Sequence, residues 1–422
     1  MTTPVSLVVV NHDRVRTLAL LLKGLEYQRH PNFEIIVVSN LDPEDRPSSS
    51  LPIRWIPFRE ANISAARNQG IRAAAGDIVA FCDDDSVPEF GWLEALSAPF
   101  SDPEVGAAGG YVRGRNGVSF QWQTIHLDRW GRDHRGTEAC SCPRIFPPDT
   151  QRCLKTVGTN SAFRRSALAE IGGFNEAYRF YHDEADVNMR LARAGWSSAI
   201  VPTAEVHHGY AEGPHRTRNR VPKSLFEIGA SEVVFCRTHA GEADLAGHRN
   251  RVRRHQRRRL DQLYLKGLID VAALKTLLHS LDAGFEEGAA RVERLVRIDP
   301  PSAEFARVPV STGGRELVVT GPMQGRAKGR TAARRAAEAG QEVTLIEVEA
   351  THRNLHVHFT DHGFWRHRVG LLGLSERDQP RPPASAKARI EAEIQRVSAQ
   401  RGLEPILTSA QLRQLRGRPK SR

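Results

Sequence analysis

The chain contains no apolar run of about 18 residues, the length a helix needs to cross a bilayer, so no membrane span is expected. Its opening, MTTPVSLVVVNHDR, lacks a basic start, a long apolar middle and a small-residue cleavage site; it reads as a first strand and not as a secretory leader. Cysteine is sparse. Five cysteines among 422 residues make no disulfide framework and fit a reducing, cytoplasmic compartment. Cys140, Cys142 and Cys153 offer a C-x-C pair with no second pair, so the usual spacing of a zinc site is missing. The glycines of GPMQGRAKGRT follow neither phosphate-loop spacing, G-x-x-x-x-G-K-[ST] or G-x-G-x-x-G. The basic runs lack interleaved aromatics, and nucleic acid is not expected as a partner.

What is present is an ordinary globular composition, 40% hydrophobic and 26% charged, long enough for two or three domains. The net charge of +11 is concentrated in HRNRVRRHQRRR (248–259), GRAKGRTAARR (325–335) and the terminal RQLRGRPKSR. Such runs are solvated helix faces, or surfaces that attract an anionic membrane or a polyanionic acceptor.

The first hundred residues alternate strand and helix. VSLVVV, FEIIVVSN and DIVAFC are continuous apolar runs, as expected for strands covered on both faces. RVRTLALLLKGLEYQ and NISAARNQGIRAAAG carry helical patterns between them. This order predicts a mostly parallel sheet flanked by helices, with ligands bound outside the carboxyl ends of the strands. Asn11, Asn40 and the run Asp83-Asp84-Asp85 fall at those ends. Three adjacent carboxylates repel one another by roughly 3 kcal/mol per close pair at an effective dielectric near 20. A solvated turn before Pro88 would tolerate them; a bound cation would use them. Residues 113–155 read as irregular, a lid or an insertion. Further on, Asp183 is expected to cap a helix whose first turn holds Glu184 and Asp186, and SSAIVPTAEVHH is a strand delivering His207 and His208.

Taken in order, a first strand ending in Asn, an ARNxG helix, GDIVAFCDDD, GTNSAF…IGGF, DEAD at a helix start and VPTAEVHH resemble the family two glycosyltransferases with a GT-A fold, over roughly residues 1–210. The resemblance implies a Rossmann-like mixed sheet and a divalent cation, Mn2+ or Mg2+, bridging the phosphates of a nucleotide-diphosphate sugar. It assigns Asp85 to the metal, Asp83 to the metal or donor ribose, and His208 to the metal or diphosphate. His207 is the weaker candidate of the pair. Asn11, Asn40, Arg67, Asn68, Asp84 and Asn160 become donor-binding candidates, with Gly158 allowing close backbone approach. Relatives commonly read Glu-Asp-x-Asp where this chain has Asp183-Glu184-Ala185-Asp186. Glu184 is the expected general base, with Asp183 the alternative.

The expected organisation is a GT-A catalytic domain at 1–212, a basic helical extension at 213–300, a small α/β region at 301–375, and a basic linker with a terminal helix at 376–422. The implied activity is inverting, metal-dependent transfer of a sugar to a glycan or lipid-linked acceptor, in surface polysaccharide or envelope glycan synthesis. The implied place is the cytoplasm, peripheral to the inner membrane face. A retaining transferase shares the acidic run without needing the base. A sugar nucleotidyltransferase would need a Gly-rich loop after the first strand, and VVVNHDRVRT has no glycine. A non-catalytic binding protein would not need both acidic clusters.

Overall fold

The structure, a computed structural model, describes residues 2–136, 142–209, 211–217, 219–310, 314–320, 325–376 and 385–403. Cys140, residues 321–324 of the glycine-bearing loop, most of the 376–385 linker and the terminal basic run lie outside the described residues.

The N-terminal half is built from β1 (Val5–Asn11), α1 (Val15–Leu25), β2 (Phe33–Ser39), β3 (Ile53–Pro57), α2 (Ile63–Ala73), β4 (Ile78–Phe81), β5 (Ser86–Pro88), α3 (Trp92–Ser97) and β6 (Val105–Arg113). β1 pairs parallel with β2 on one side and β4 on the other, and β3 extends the sheet beyond β2. The apolar runs are covered on both faces, as their sequence requires. Leu18, Leu21, Leu22, Leu25, Trp92 and Leu96 pack on one side. Ala66, Ile71, Leu168, Val187 and Leu191 pack on the other. The chain moves outward from β1 to β3 and then returns to the opposite side of β1 as β4. This reversal makes the carboxyl ends of β1 and β4 a switch point, where the crevice of an open α/β sheet forms.

Residues 113–155 are less irregular than the sequence suggests. They carry β7 (Phe120–Trp122), β8 (Ile125–Asp128), β9 (Asp133–Arg135), β10 (Arg144–Phe146) and β11 (Arg152–Leu154). The order β11-β8-β9 makes a small separate sheet. Local patterning failed here because each strand is only three or four residues long.

β12 (Ser161–Arg164), α4 (Arg165–Glu170), α5 (Asp183–Arg193) and β13 (Ser197–His208) complete the main sheet, ordered β10-β13-β6-β12-β4-β1-β2-β3. β12 runs antiparallel to both β4 and β6, so the sheet is mixed but mostly parallel, as expected. A register shift between Val201 and Glu205 divides β13. Its last residues pair antiparallel with β5, placing His208 opposite Ser86.

The chain continues through α6 (Phe226–Phe235), α7 (Leu245–Leu265) and α8 (Val271–Ala290). An extended segment returns to the first domain, where Val296 N–H donates to Gly172 and Val308 N–H to Phe33. Then come β14 (Arg315–Thr320), α9 (Arg326–Glu338), β15 (Glu342–Glu349), β16 (His356–Phe359), β17 (Trp365–Gly370) and α10 (Ala386–Arg401). These four strands form their own sheet, ordered β14-β15-β17-β16. Its core merges with the first domain: Tyr27, Val87 and Phe90 pack with Ile346, Trp365, Ile390 and Ile394. Among the described residues no helix is long and apolar enough to cross a membrane.

Gly70, the glycine of the ARNxG stretch, lets α2 lie directly on β1: a Cβ there would fall far inside contact distance of Val8. Gly70→Ala would gain about 1 kcal/mol in helix propensity. Forcing a methyl against a buried β-branched side chain costs about 1–3 kcal/mol. The expected outcome is a lower midpoint in thermal or urea unfolding; a rise would show that the sheet yields freely at Val8.

Candidate active site

β4 ends at Phe81, and the chain turns through the three aspartates into β5. They meet three different surroundings. Asp84 is fully buried, accepting from Asn11 Nδ2 at 2.6 Å and pairing with Arg14 at 2.7 Å. Burial pushes its carboxyl up to about 8; Arg14 and the Asn11 hydrogen bond pull it down, while Asp85 and Asp83 add to the rise. Asp85 is also buried, yet it sits below the ordinary carboxylate range. Burial opposes that shift, and His208, Arg14 and the Ala211 N–H overcome it. His208 Nε2 stands 3.3 Å from Asp85 Oδ1, and its Nδ1 is 3.0 Å from Gln121 Oε1. Asp83 is the most open of the three, its side chain 37% exposed, and Arg67 approaches it at 3.9 Å.

The repulsion inherent in the run is therefore relieved partly by the chain itself. Asp84 is committed to Arg14 and Asn11. Asp83, Asp85 and His208 remain grouped, each offering a ligand atom within 4.8 Å of the others. Two carboxylates and an imidazole suit Mn2+ or Mg2+, which take oxygen donors, Mn2+ accepting nitrogen as well. A second group within the same spacing is Glu89, Glu205 and His207. There the acids are already held by guanidinium groups, Arg401 on Glu89 and Arg113 on Glu205.

The second acidic cluster opens α5. The expected cap is corrected: Asp183 is the first helical residue, preceded by His182 in the left-handed region (φ 67°), with no side-chain cap. Asp183 instead makes a buried ion pair with Arg67. The guanidinium needs a position that a side chain at residue 158 would block, so Gly158 admits Arg67. Burial and neighbouring Glu184 raise Asp183 well above its ordinary value despite Arg67. Glu184 is half-buried. Burial would raise it too, but Lys155, a hydrogen bond with Asp183 and Arg67 hold it below the usual glutamate value. Of the two neighbours, Glu184 is the one whose charged form the surroundings favour more. Asp186 is fully buried between Arg190 and His239, which fixes α5 and leaves the site.

The structure redistributes the other candidates. Asn11 bridges Asp84, the Arg14 carbonyl and Ser39, and Asn40 bonds both backbone and side chain of Asp13. Asn68 is fully buried and braces the turn at Phe174 and Glu176. Asn160 is fully buried, donating to the Tyr111 and Ala204 carbonyls and accepting from Trp92 Nε1. The expectation that Asn68 and Asn160 contact a donor is corrected on this ground: their amides are saturated by the chain. His207 faces away from the site, 2.9 Å from Glu89. Sequence reasoning missed Arg14 and Gln121. Arg14 was findable as a cation three residues beyond the first strand end; Gln121 carried no signal. A cavity of about 580 Å3, lined by His126, Arg135, Arg144, Phe146 and Arg152 among others, contains no member of either acidic cluster.

The fold and the crevice define an α/β protein with paired acidic clusters at its switch point. Residues 6–172 match glycosyl transferase family 2. The chain is 32% identical over 182 residues to the pre-mycofactocin glycosyltransferase of Mycobacterium tuberculosis, covering 41% of this chain and 35% of that protein. It is 27% identical over 241 residues to the O-antigen biosynthesis protein RfbC of Myxococcus xanthus, covering 53% and 18%. Among solved structures it is similar to S. aureus TarS 1–349 in complex with UDP-GlcNAc, at 15% identity and a TM-score of 0.43, covering 67% and 80%. The chain spans about a third of the first curated relative's length. The family match lies within the N-terminal half of the chain.

Arg67 joins the two clusters, and neither it nor Asp183 is more than 5% exposed. Removing one partner of a buried pair costs about 3–5 kcal/mol. Arg67→Ala is expected to lose that much in urea unfolding. Arg67→Lys should restore only part, since an ammonium cannot fork between two carboxylates. A loss under 1 kcal/mol for Arg67→Ala would mean the pair is solvated.

Proposed function

We propose that the protein is an inverting, metal-dependent glycosyltransferase that moves a sugar from a nucleotide-diphosphate donor to a hydroxyl of a glycan or lipid-linked acceptor. The observation that carries this reading is the grouping of Asp83, Asp85 and His208 at the switch point, tied through Arg67 to Asp183, the neighbour of Glu184. The family match over residues 6–172 and relatives named for glycosyl transfer and O-antigen biosynthesis support it, and suggest polysaccharide or envelope glycan synthesis. A retaining route would leave the half-buried Glu184 at the start of α5 without a role as base.

In this mechanism Asp83, Asp85 and His208 would hold Mn2+ or Mg2+, and the cation would supply Lewis-acid stabilisation to a departing diphosphate. Glu184 accepts the proton of the acceptor hydroxyl. The oxygen attacks the anomeric carbon from the face opposite the diphosphate, and the bond to the diphosphate breaks with inversion. Arg67 holds Asp183, and Lys155, the Asp183 hydrogen bond and Arg67 together favour the charged form of Glu184. Arg216, on the segment after β13, lies within electrostatic reach of Asp85 and Asp83, and in this reading its charge would favour the departing diphosphate. Asn11 and Asp84 serve by fixing Arg14 behind Asp85.

The test pairs two variants. Asp85→Asn should remove Mn2+-dependent thermal stabilisation and turnover together while the fold survives. Glu184→Gln should keep Mn2+ and donor binding and lower the transfer rate roughly 100- to 10,000-fold. The wild-type rate should fall only below the ordinary glutamate value of 4.5, because the folded Glu184 is shifted down. That acidic limb should vanish in the Gln variant and persist in Asp183→Asn. Full activity of Asp85→Asn in chelator would sink the metal reading, and a mild Glu184→Gln effect the inverting one.

The proposed location is peripheral, against an anionic membrane. Several arginines of the basic run are occupied: Arg249, Arg253 and Arg257 pair with Glu286, Asp282 and Asp261. Arg254 and Arg258 project from the same helix. At the α7–α8 turn Tyr264, Leu265, Leu268 and Val271 are exposed, Leu265 by 74%. An apolar tip beside a basic helix face suits insertion between anionic headgroups, each basic residue adding about 1 kcal/mol. Cosedimentation with acidic vesicles should fall with salt. It should fall about tenfold in Leu265→Asp, the rough equivalent of one leucine burial. Salt-insensitive sedimentation, or none, would leave the tip as an ordinary exposed turn.

A further inference from the structure

The C-terminal sheet lies beyond the family match, and its contact with the first domain is unusually ionic. Glu89, one residue past β5, is 1% exposed and accepts two hydrogen bonds from Arg401, from Nε and Nη2, both at 2.8 Å. His207 reaches the same carboxylate at 2.9 Å. Arg401 also contacts His367 Nε2 at 2.7 Å and lies over the Trp365 ring at 4.7 Å, while the His207 ring packs on Trp365 at 4.2 Å. Glu205, on β13, binds Arg113 and accepts from Gln400 Nε2 at 2.7 Å. Two residues at the end of α10 therefore grip both strands of the β5–β13 pair.

That pair also carries the grouped ligands. Asp85 immediately precedes β5, and Gly209 N–H donates to the Asp85 carbonyl at 2.7 Å. His208 ends β13, opposite Ser86, and its neighbour His207 points to the other face, as strand alternation requires. We infer that Arg401 is a positioning residue: through Glu89 and His207 it sets the spacing of β5 against β13, and with it the approach of His208 to Asp85. This inference rests on the proposed metal site. The same geometry gives the C-terminal extension a task, that of an outer brace for ligands it never touches. It also accounts for the Glu89–Glu205–His207 group: its carboxylates are the anchor points for guanidinium groups. Partners outside the ligand shell orient the ligands, and losing them typically lowers metal affinity roughly 10- to 100-fold.

The experiment measures Mn2+ alone, without donor, by the electron paramagnetic resonance signal of free Mn2+ titrated with the full chain. Arg401→Gln is expected to weaken Mn2+ binding about tenfold. Arg401→Lys should recover little, because the fork to Glu89 is lost. The control is Tyr27→Phe, which cuts the Tyr27–Ala337 hydrogen bond in the same interface without touching Glu89 or Arg401. It should lower the melting temperature and leave Mn2+ affinity within about twofold, well short of the loss expected from an outer partner. Unchanged affinity in Arg401→Gln, or equal losses in Arg401→Gln and Tyr27→Phe, would overturn the positioning role. Should Arg401→Gln not fold, Arg401→Lys decides by the same criterion. Asp85→Asn separates the two levels. If it abolishes Mn2+ binding while Arg401→Gln does not matter, only Arg401 loses its role. If wild type binds no Mn2+, or Asp85→Asn binds it fully, the metal site and the brace fall together.

Discussion

One buried guanidinium organises this crevice. Arg67 pairs with Asp183 and extends toward Asp83, so acids contributed by two distant segments share a single cation. A buried arginine is tolerable only when its charge is answered. The consequences spread from that requirement. Position 158 must be glycine to admit the group, and α2 must sit close on β1, which Gly70 permits. Glu184, adjacent to the pair, is held ionised in part by the same charge. Moving Arg67 would disturb both clusters at once.

The other side of the site depends on a short antiparallel pair. β5 has three residues and β13 is divided by a register shift, so neither is rigid by its own hydrogen bonds. Rigidity comes from what is packed behind them. Val87 joins a core made mostly of C-terminal residues, and Glu89 is saturated by Arg401 and His207. Ion pairs of this kind contribute little net stability compared with an apolar equivalent, but they impose a geometry. The proposed cation site, with two aspartates from a turn and a histidine from a strand, would need that geometry more than stability.

Much of the fold was legible because the first strands are continuous apolar runs, and a run with no polar alternation has to be covered on both faces. The switch point followed from strand order alone. That Asp83 and Asp85 need a positive neighbour was legible as well, since acids at the end of a buried strand conflict with their surroundings; that His208 lies beside them is a tertiary fact. Asn68 and Asn160 were misread as donor contacts. In a sequence, an asparagine that binds a ligand and one that satisfies its own backbone are the same letter; only the carbonyls that reach its amide distinguish them.

The sequence by itself determined the class of sheet, the end of it that carries the acids, and the residue types available for a cation and a base. Tertiary structure decided which carboxylates are spent. Asp84 went to Arg14, Asp183 to Arg67, Asp186 to His239 and Arg190, and Glu89 to an arginine 312 residues away. Local patterning has a range of a few residues, whereas the energy of a buried charge is set by whichever groups folding brings within a few ångströms of it.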